Sequence, residues 1–306
     1  GFPQPILVDA QAQPDPDFPT VAFPNPEEPG AIDLALETAR IFDADLVIAN
    51  DPDADRLGIM YKDENGKYIA MSGNDTGTLM IDYIINHSKL EGNEILFKTI
   101  VTGEMGAKIA KLKGVEVEET LTGFKFIGEK ANNLVNKKYI FGYEESYGYL
   151  IYTIARDKDA IQASLLISEM VSYYKDNGIN LGQRLEELYN EVGFFNEITY
   201  SINLKGAAGL EKIKKVMNYV REEDINTIDG YNVEEKIDYK LKQGDLPKAD
   251  VIKFMIKDLG WVVFRPSGTE PKLKIYISVN SKDLEEAKKI NISIYESLLK
   301  LVETIN

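Results

Sequence analysis

"DADLVIANDPDADRLGIMYKDENGKYIAM" (residues 43–71) decides how the chain is to be read. The run Leu46-Val47-Ile48-Ala49 is short, apolar and bounded by polar residues, the mark of a buried strand. "RLGIMYKDENGKYIAM" reads as a hairpin turning at Glu64-Asn65-Gly66. Between strand and hairpin lies Asp51-Pro52-Asp53-Ala54-Asp55-Arg56. Its three carboxylates alternate along the chain, and on a curled loop they converge. Like charges held so close repel unless a cation lies among them. A hard divalent ion suits an all-oxygen set, and Mg2+ takes few carboxylates and leaves room for a phosphate oxygen. An EF-hand also uses loop positions one, three and five, but its sixth position is here Arg56 and its twelfth Lys62, so that reading fails. A solvated acidic turn remains the plain alternative. Arg56 weighs against it, because arginine beside a cation site implies that an anion binds there too.

Outward from this stretch, strands alternate with helices. Residues 1–30 hold eight of the 12 prolines, so they form no long helix and are expected to run extended and pack on a neighbour. A helix follows in "PNPEEPGAIDLALETARIF", with Ile32, Ala35, Leu36, Ala39 and Ile41 as its apolar side. "SGNDTGTLMIDYIINHS" is a second helix, with Asn74 or Asp75 as N-cap. "EILFKTIVTG" and "VEVEETL" read as strands flanking the helix "EMGAKIAKLKG", and "RDKDAIQASLLISEMVSYYKDNG" as a long helix. Beyond residue 195, "NEITYSINL" is a strand. "GLEKIKKVMNYVREE" is a helix with Ile213, Val216, Met217 and Val220 inward. A strand-rich stretch follows, and a closing helix. The expected architecture is α/β, in two mixed-sheet domains (1–90 and 91–194) followed by an α+β C-terminal domain (195–306).

Composition narrows the chemistry. A net charge of −15 argues against nucleic-acid and anionic-membrane partners. No apolar run reaches the ~18 residues of a membrane span, and no signal peptide is visible, so the expected compartment is the cytoplasm. Cysteine is absent, which removes disulfides, thiolate ligands and cysteine nucleophiles. The single histidine, His87, cannot build a multi-histidine metal site and reads as a solvated or capping residue at a helix end. Catalysis must rest on carboxylates, lysines, arginines and hydroxyls.

Two further loops stand out. "VVFRPSGTEPKLKIYI" (262–277) sets two apolar strands around a loop with Arg265, Ser267, Gly268, Thr269 and Lys272. Arginine offers a bidentate fork to phosphate, the hydroxyls donate, and glycine lets backbone N–H groups turn inward. The pattern is not a P-loop, so a nucleoside triphosphate is not implied. Only six of the 35 basic residues are arginines, and Arg56, Arg156 and Arg265 lie in these unusual loops. The other loop, "GYEESYG" (142–148), offers Glu144, Glu145 and Ser146 to vicinal hydroxyls, as a sugar site requires. An acidic turn is its plain alternative. "TGFK" and "RDKD" add Lys125 and Lys158, either of which meets phosphate or moves a proton if its pKa is lowered.

Taken in order, Asp51–Arg56, "TGFK", "GYEES", "RDKD" and "RPSGTEPK" resemble the α-D-phosphohexomutases, in particular the phosphoglucomutase/phosphomannomutase branch. The resemblance covers essentially all 306 residues, and the opening "PDPDFPTVAFPNPEE" resembles that family's second domain. It implies four domains around a deep cleft and Mg2+ held by Asp51, Asp53 and Asp55. It implies sugar hydroxyls at Glu144 and Ser146, and a substrate phosphate gripped by Arg265, Ser267, Gly268 and Thr269. Lys125 and Lys158 would line the cleft, and Arg56 would neutralise the phosphate in transit. The implied reaction interconverts hexose 1-phosphate and hexose 6-phosphate, of glucose or mannose, through a phosphoserine and a hexose 1,6-bisphosphate that also serves as activator.

Two departures follow. The family's phosphoserine lies in a Ser-His-Asn-Pro loop, and no serine here is followed by histidine. The expectation is a fragment that lacks the N-terminal phosphoserine domain, needs that domain as partner, and is inactive alone. Many relatives close the sugar loop with Gly-His, where this chain has Tyr147-Gly148-Tyr149, so Lys158 is the expected acid/base. The competing readings are a non-catalytic phosphosugar-binding module and a metal-dependent phosphatase with Asp51 as nucleophile. The latter lacks the Asp-x-Asp-x-Thr pattern.

Overall fold

The computed structural model describes residues 4–204, 206–241, 243–268 and 271–305. Leu46–Asn50 (β1) runs antiparallel to Leu57–Lys62 (β2), with Asn50 opposite Leu57, and β2 pairs with Tyr68–Met71 (β3). The acidic stretch Asp51–Arg56 is therefore the connection of a β-hairpin, with no helix on either side of it. Asp63 shapes the expected β2–β3 turn by accepting the backbone N–H of Asn65 and Lys67. Asp33–Phe42 (α1) follows the proline-rich segment and buries Ala39, while Ile41 lies off its inner side and is 78% exposed. The expected packing of residues 1–30 is confined to Asn25 and Pro26, because most of the described residues before them are exposed. Pro26 seats on β2 at Gly58, where a Cβ would stand 2.7 Å from it.

A four-stranded sheet in the order β5-β4-β6-β7 follows. Glu94–Thr99 (β4) is buried along its whole length and runs parallel to both Glu116–Thr120 (β5) and Lys138–Glu144 (β6). Gly148–Leu150 (β7) turns back antiparallel on β6. Period-two alternation sends Ile95 and Phe97 to the face covered by Phe124–Asn132 (α4). Gly73–His87 (α2) and Glu104–Leu112 (α3) clasp Tyr143 of β6, through Gly77 and Gly106, whose missing side chains leave room for its ring and hydroxyl. The cap of α2 is Ser72, not Asn74 or Asp75. Ser72 Oγ accepts the Asp75 N–H at 3.1 Å, and the Asp75 carboxylate reaches back to the hydroxyl at 2.6 Å. Ala160–Asp176 (α5) is capped by Asp159, which accepts from Ile161 N and Gln162 N.

Leu181–Val192 (α6) was not expected from the sequence. Asn180 and Gln183 exchange side-chain and backbone hydrogen bonds at its start, in the pattern of a capping box. Arg184 then grips the buried Asp82 of α2 with two 2.9 Å bonds. His87 ends α2 as expected of a capping residue, with Nδ1 2.8 Å from Tyr83 O and its ring stacked on Tyr83.

The chain forms two units, Gly1–Leu188 and Tyr189–Asn306. The second has a six-stranded antiparallel sheet in the order β8-β13-β12-β11-β10-β9. Its strands are Phe194–Asn203 (β8), Thr227–Ile228 (β9), Tyr231–Asp238 (β10), Ile252–Ile256 (β11), Gly260–Pro266 (β12) and Lys272–Ser281 (β13). Gly206–Glu222 (α7) and Leu284–Thr304 (α8) cover one face. Ile213, Val216, Met217 and Val220 point inward as expected, against Phe254, Val262, Phe264, Ile275 and Ile277. No helix among the described residues is long and apolar enough to cross a membrane.

Candidate active site

The β1–β2 connection is wound around its own first carboxylate. Asp51 Oδ1 accepts the backbone N–H of Asp55 at 3.0 Å and of Arg56 at 2.9 Å. Ala54 at the apex has φ +57°, and Asn50 Nδ2 closes the base on Arg56 O at 3.2 Å. So wound, Asp51, Asp53 and Asp55 each bring one oxygen within 4.8 Å of the others. Burial pushes Asp51 up to about 6; the Arg56 N–H opposes this, and the neighbouring Asp55 and Asp53 add to it. A carboxylate that resists ionising beside two others is what a bound cation relieves. The donor set is hard, anionic and partly exposed, and it fits a divalent ion that retains water or a phosphate oxygen. Arg56 Nε stands 3.6 Å from Asp51 and 3.8 Å from Asp55.

Backbone bonds hold two other loops against this one. Arg56 forms a bridge with Gly148, and Leu57 N donates to Tyr147 O at 3.0 Å. Ala160 N donates to Ala54 O at 3.0 Å, and Asp159 N to Tyr149 O at 2.8 Å. The acidic loop, the "GYEES" turn and the "RDKD" segment are thus one fastened group. Lys158 crosses the turn at Gly148, where a Cβ would lie 2.8 Å from Lys158 Cγ. Its ammonium reaches Asp55 at 2.9 Å and Asp157 at 2.8 Å. Burial works against that charge, but hydrogen bonds to Asp157 and Asp55 outweigh it and raise the pKa above the ordinary lysine value. The sequence reading required a lowered value for proton abstraction; here Lys158 is an ammonium, suited to donating a proton or stabilising an anion.

In the turn, Glu144 is 8% exposed and its Oε1 accepts from Gly123 N at 2.9 Å. Ser146 is half-buried at the turn itself. Gly123 has φ +113° and precedes α4, so the "TGFK" segment is tied to the turn through glycine. Lys125 lies exposed on the first turn of α4, its ammonium 5.0 Å over the Phe126 ring. Glu145 turns the other way, accepting from Thr102 Oγ1 at 3.1 Å.

In the second unit, Arg265 is the last residue but one of β12, and Ser267 N donates to Lys272 O at 2.8 Å to close the β12–β13 loop. Arg265 Nη1 donates to Tyr276 Oη at 3.1 Å. Gly268 is exposed with open space around it, and Thr269 lies outside the described residues. The register sets Arg265 directly opposite Lys274, a like-charge pair that an anion would stabilise. Lys274 and Tyr276 were missed in the sequence. Their signal was the period of two in "KLKIY", which puts them on the Arg265 side of the sheet. Asn50 and Thr102 carried no sequence signal, since only the fold brings them to these loops, and Gly123 lay in "TGFK" without its bond to Glu144 being foreseen.

Three family models match. Phosphoglucomutase/phosphomannomutase alpha/beta/alpha domain II matches residues 1–66, domain III residues 72–192, and the C-terminal domain residues 204–292. A phosphoglucomutase of Staphylococcus epidermidis is 38% identical over 310 residues, covering 97% of this chain and 57% of that protein. One from Staphylococcus aureus is 38% identical over 308 residues, covering 96% and 56%. The chain thus spans somewhat over half the length of these curated relatives. The open form of Paramecium pp63/parafusin, a phosphoglucomutase, shares the fold with a TM-score of 0.60 at 19% identity, over 90% of this chain and 50% of that one.

Proposed function

The chain belongs to the α-D-phosphohexomutase family, and we propose that it supplies the cation, sugar and phosphate sites of an enzyme interconverting hexose 1-phosphate and hexose 6-phosphate. The observation that carries this is the fastening of the acidic loop to the "GYEES" turn and the Lys158 segment by backbone hydrogen bonds. A candidate cation site, hydroxyl acceptors and a half-buried ammonium are thereby held together, as phosphoryl transfer to a sugar oxygen requires.

Asp51, Asp53 and Asp55 would hold Mg2+, which when bound supplies Lewis-acid charge to the oxygens around phosphorus. Arg56 and Lys158 face the transferring phosphoryl group and stabilise its charge. Glu144 accepts a sugar hydroxyl and Ser146 donates to one, aligning the acceptor oxygen for in-line attack. Arg265, Ser267, Gly268 and Thr269 bind the phosphate that does not react, and Lys125 adds positive charge for the phosphosugar. A phosphoserine gives up its phosphoryl group to the free sugar oxygen. The resulting bisphosphate, glucose or mannose 1,6-bisphosphate, returns the other phosphoryl group to the serine. In the first transfer the attacking sugar hydroxyl's proton passes to the serine oxygen it releases. In the second, Lys158 protonates the sugar oxygen as the P–O bond breaks, and the proton lost by the attacking serine restores the ammonium.

None of the chain's serines is followed by histidine, and we place the phosphoserine outside these 306 residues, on a partner domain of the same polypeptide. The chain alone, mixed with Mg2+, glucose 1-phosphate and a trace of glucose 1,6-bisphosphate, is then expected to form no glucose 6-phosphate. The same mixture with the longer reading frame forms it. Turnover by the 306-residue chain overturns this placement. A second reading, a non-catalytic phosphosugar-binding module, is motivated by the ligand loops standing without the serine. It wins if the longer protein binds glucose 6-phosphate and never isomerises it.

The phosphate loop gives a separate expectation. Arg265→Ala removes a charge-assisted fork worth about 1.5–3 kcal/mol. The affinity of the chain for inorganic phosphate, measured by titration calorimetry, is expected to fall about 10- to 100-fold. Arg265→Lys recovers part of it, because a point charge replaces the fork.

A further inference from the structure

The two adjacent glutamates of "GYEES" are chemically identical, yet the fold sends them to opposite sides. Glu144 ends β6 and takes the Gly123 N–H. Glu145 Oε2 accepts from Thr102 Oγ1 at 3.1 Å and lies 3.5 Å from Thr99 Oγ1. Both threonines are fully buried, in the stretch "TIVTG" that leaves β4.

Thr102 Oγ1 accepts the Thr99 backbone N–H at 3.2 Å, and its O–H donates to the Glu145 carboxylate, which can only accept. The Thr99 hydroxyl lies 2.8 Å from Thr102 Oγ1 and 3.5 Å from Glu145 Oε2, so the two hydroxyls and the carboxylate form one hydrogen-bonded cluster. Thr102 is fixed from behind as well. Its carbonyl accepts from Lys98 Nζ at 2.9 Å, and Lys98, 1% exposed in its side chain, is itself tied to Glu104 at 2.8 Å and Glu119 at 3.0 Å. A buried ammonium held by two carboxylates is a rigid post. Lys98 thus holds the Thr102 backbone, and the Thr102 side chain holds Glu145.

We propose that Glu145 is a positioning residue, whose carboxylate on Thr102 fixes the turn that presents Glu144 and Ser146 and so sets the preference for a hexose over a bare phosphate. This rests on the phosphohexomutase reading of that turn. The backbone of the turn is seated on α2 as well, since a Cβ at Gly73 would stand 2.9 Å from the Glu145 carbonyl carbon and 3.0 Å from Tyr147 N. The seat limits how close the turn comes; the Glu145–Thr102 bond limits how it rotates. Rotation is what Glu144 and Ser146 cannot tolerate, because hydroxyl recognition depends on direction.

The test uses the 306-residue chain and calorimetric titration with glucose 6-phosphate and, separately, inorganic phosphate. Thr102→Val keeps shape and removes the donor; it is expected to weaken glucose 6-phosphate about tenfold and leave inorganic phosphate unchanged. Thr102→Ser restores the wild-type ratio. Thr102→Val combined with Glu145→Ala loses no more than Glu145→Ala alone, because both break one linkage. Hydrogen exchange of the amides at 144–148 rises in Thr102→Val without any ligand. Unchanged discrimination in Thr102→Val overturns the proposal, and so does equal loss for both ligands. Additive losses in the double variant also overturn it, in favour of Glu145 touching the sugar. A wild-type chain that shows no preference for the sugar, with the exchange effect present, overturns the functional reading instead and takes the sugar half of the proposal with it.

Discussion

Gly73→Ala is expected to destabilise the chain by about 3 kcal/mol and to displace the "GYEES" turn. Alanine ordinarily strengthens a helix relative to glycine by up to about 1 kcal/mol, so the expected sign is the reverse of the usual one. The added Cβ would overlap the Glu145 carbonyl oxygen and stand 3.0 Å from Tyr147 N. Both are backbone atoms in a turn that Leu57 N and the Arg56–Gly148 bridge tie to β2, so no side chain can rotate aside. The other end of the contact is equally fixed, because Tyr149 Oη donates to Gly73 O at 3.1 Å from a fully buried ring. Overpacking in such a setting costs roughly 1–3 kcal/mol, with the upper end expected where backbone must move. Urea denaturation measures the loss. Glucose 6-phosphate affinity should fall with it, while inorganic phosphate affinity holds. Wild-type stability with a wild-type turn would show that α2 can slide.

The second large effect has the opposite signature. Asp51→Asn is isosteric and keeps an Oδ acceptor for the Asp55 and Arg56 N–H groups, so the loop should keep its winding. It removes a charge that burial and two neighbouring aspartates disfavour, so thermal stability without metal is expected to stay level or rise. Mg2+ affinity is expected to fall about 100-fold, which corresponds to about 2.7 kcal/mol. Turnover by a protein that joins this chain to the proposed phosphoserine domain should fall at least as far. A residue whose loss helps folding and harms binding is retained for its function. Equal Mg2+ titrations for Asp51→Asn and wild type would remove the aspartates from the cation site.

Legibility in the sequence followed the physics of each segment. Glu94–Thr99 declared itself through its apolar centre Ile95-Leu96-Phe97, which is fully buried. The apolar run Leu46–Ala49 also formed its strand, but only Val47 there is buried, so the expectation of a buried strand held for one residue. The β10 strand did not declare itself, because Tyr231–Asp238 is half-exposed and charged, and its ladder rather than its side chains holds it. Helix α6 was passed over although its signals were present: Asn180 and Gln183 spell a capping box, and Leu181, Leu185, Leu188, Tyr189 and Val192 recur at helical spacing. At α2, three polar residues within four positions, Ser72, Asn74 and Asp75, competed for the cap, and only backbone geometry chose Ser72. The acidic loop was readable as a candidate cation site because repulsion among three aspartates follows from their spacing. The difference between Glu144 and Glu145 was not, because it depends on Thr102, which lies 43 residues away and meets the turn only in the folded sheet.

The pairing of Arg56 with Gly148 joins a strand of one sheet to a strand of the other, and this has a thermodynamic consequence. The first strand begins where the acidic loop ends, and the second where the "GYEES" turn ends. Ordering either loop therefore reduces the entropy left for the other to lose. Cation and sugar should bind with positive cooperativity, and the coupling must be reciprocal: whatever factor Mg2+ adds to hexose affinity, the hexose returns to Mg2+.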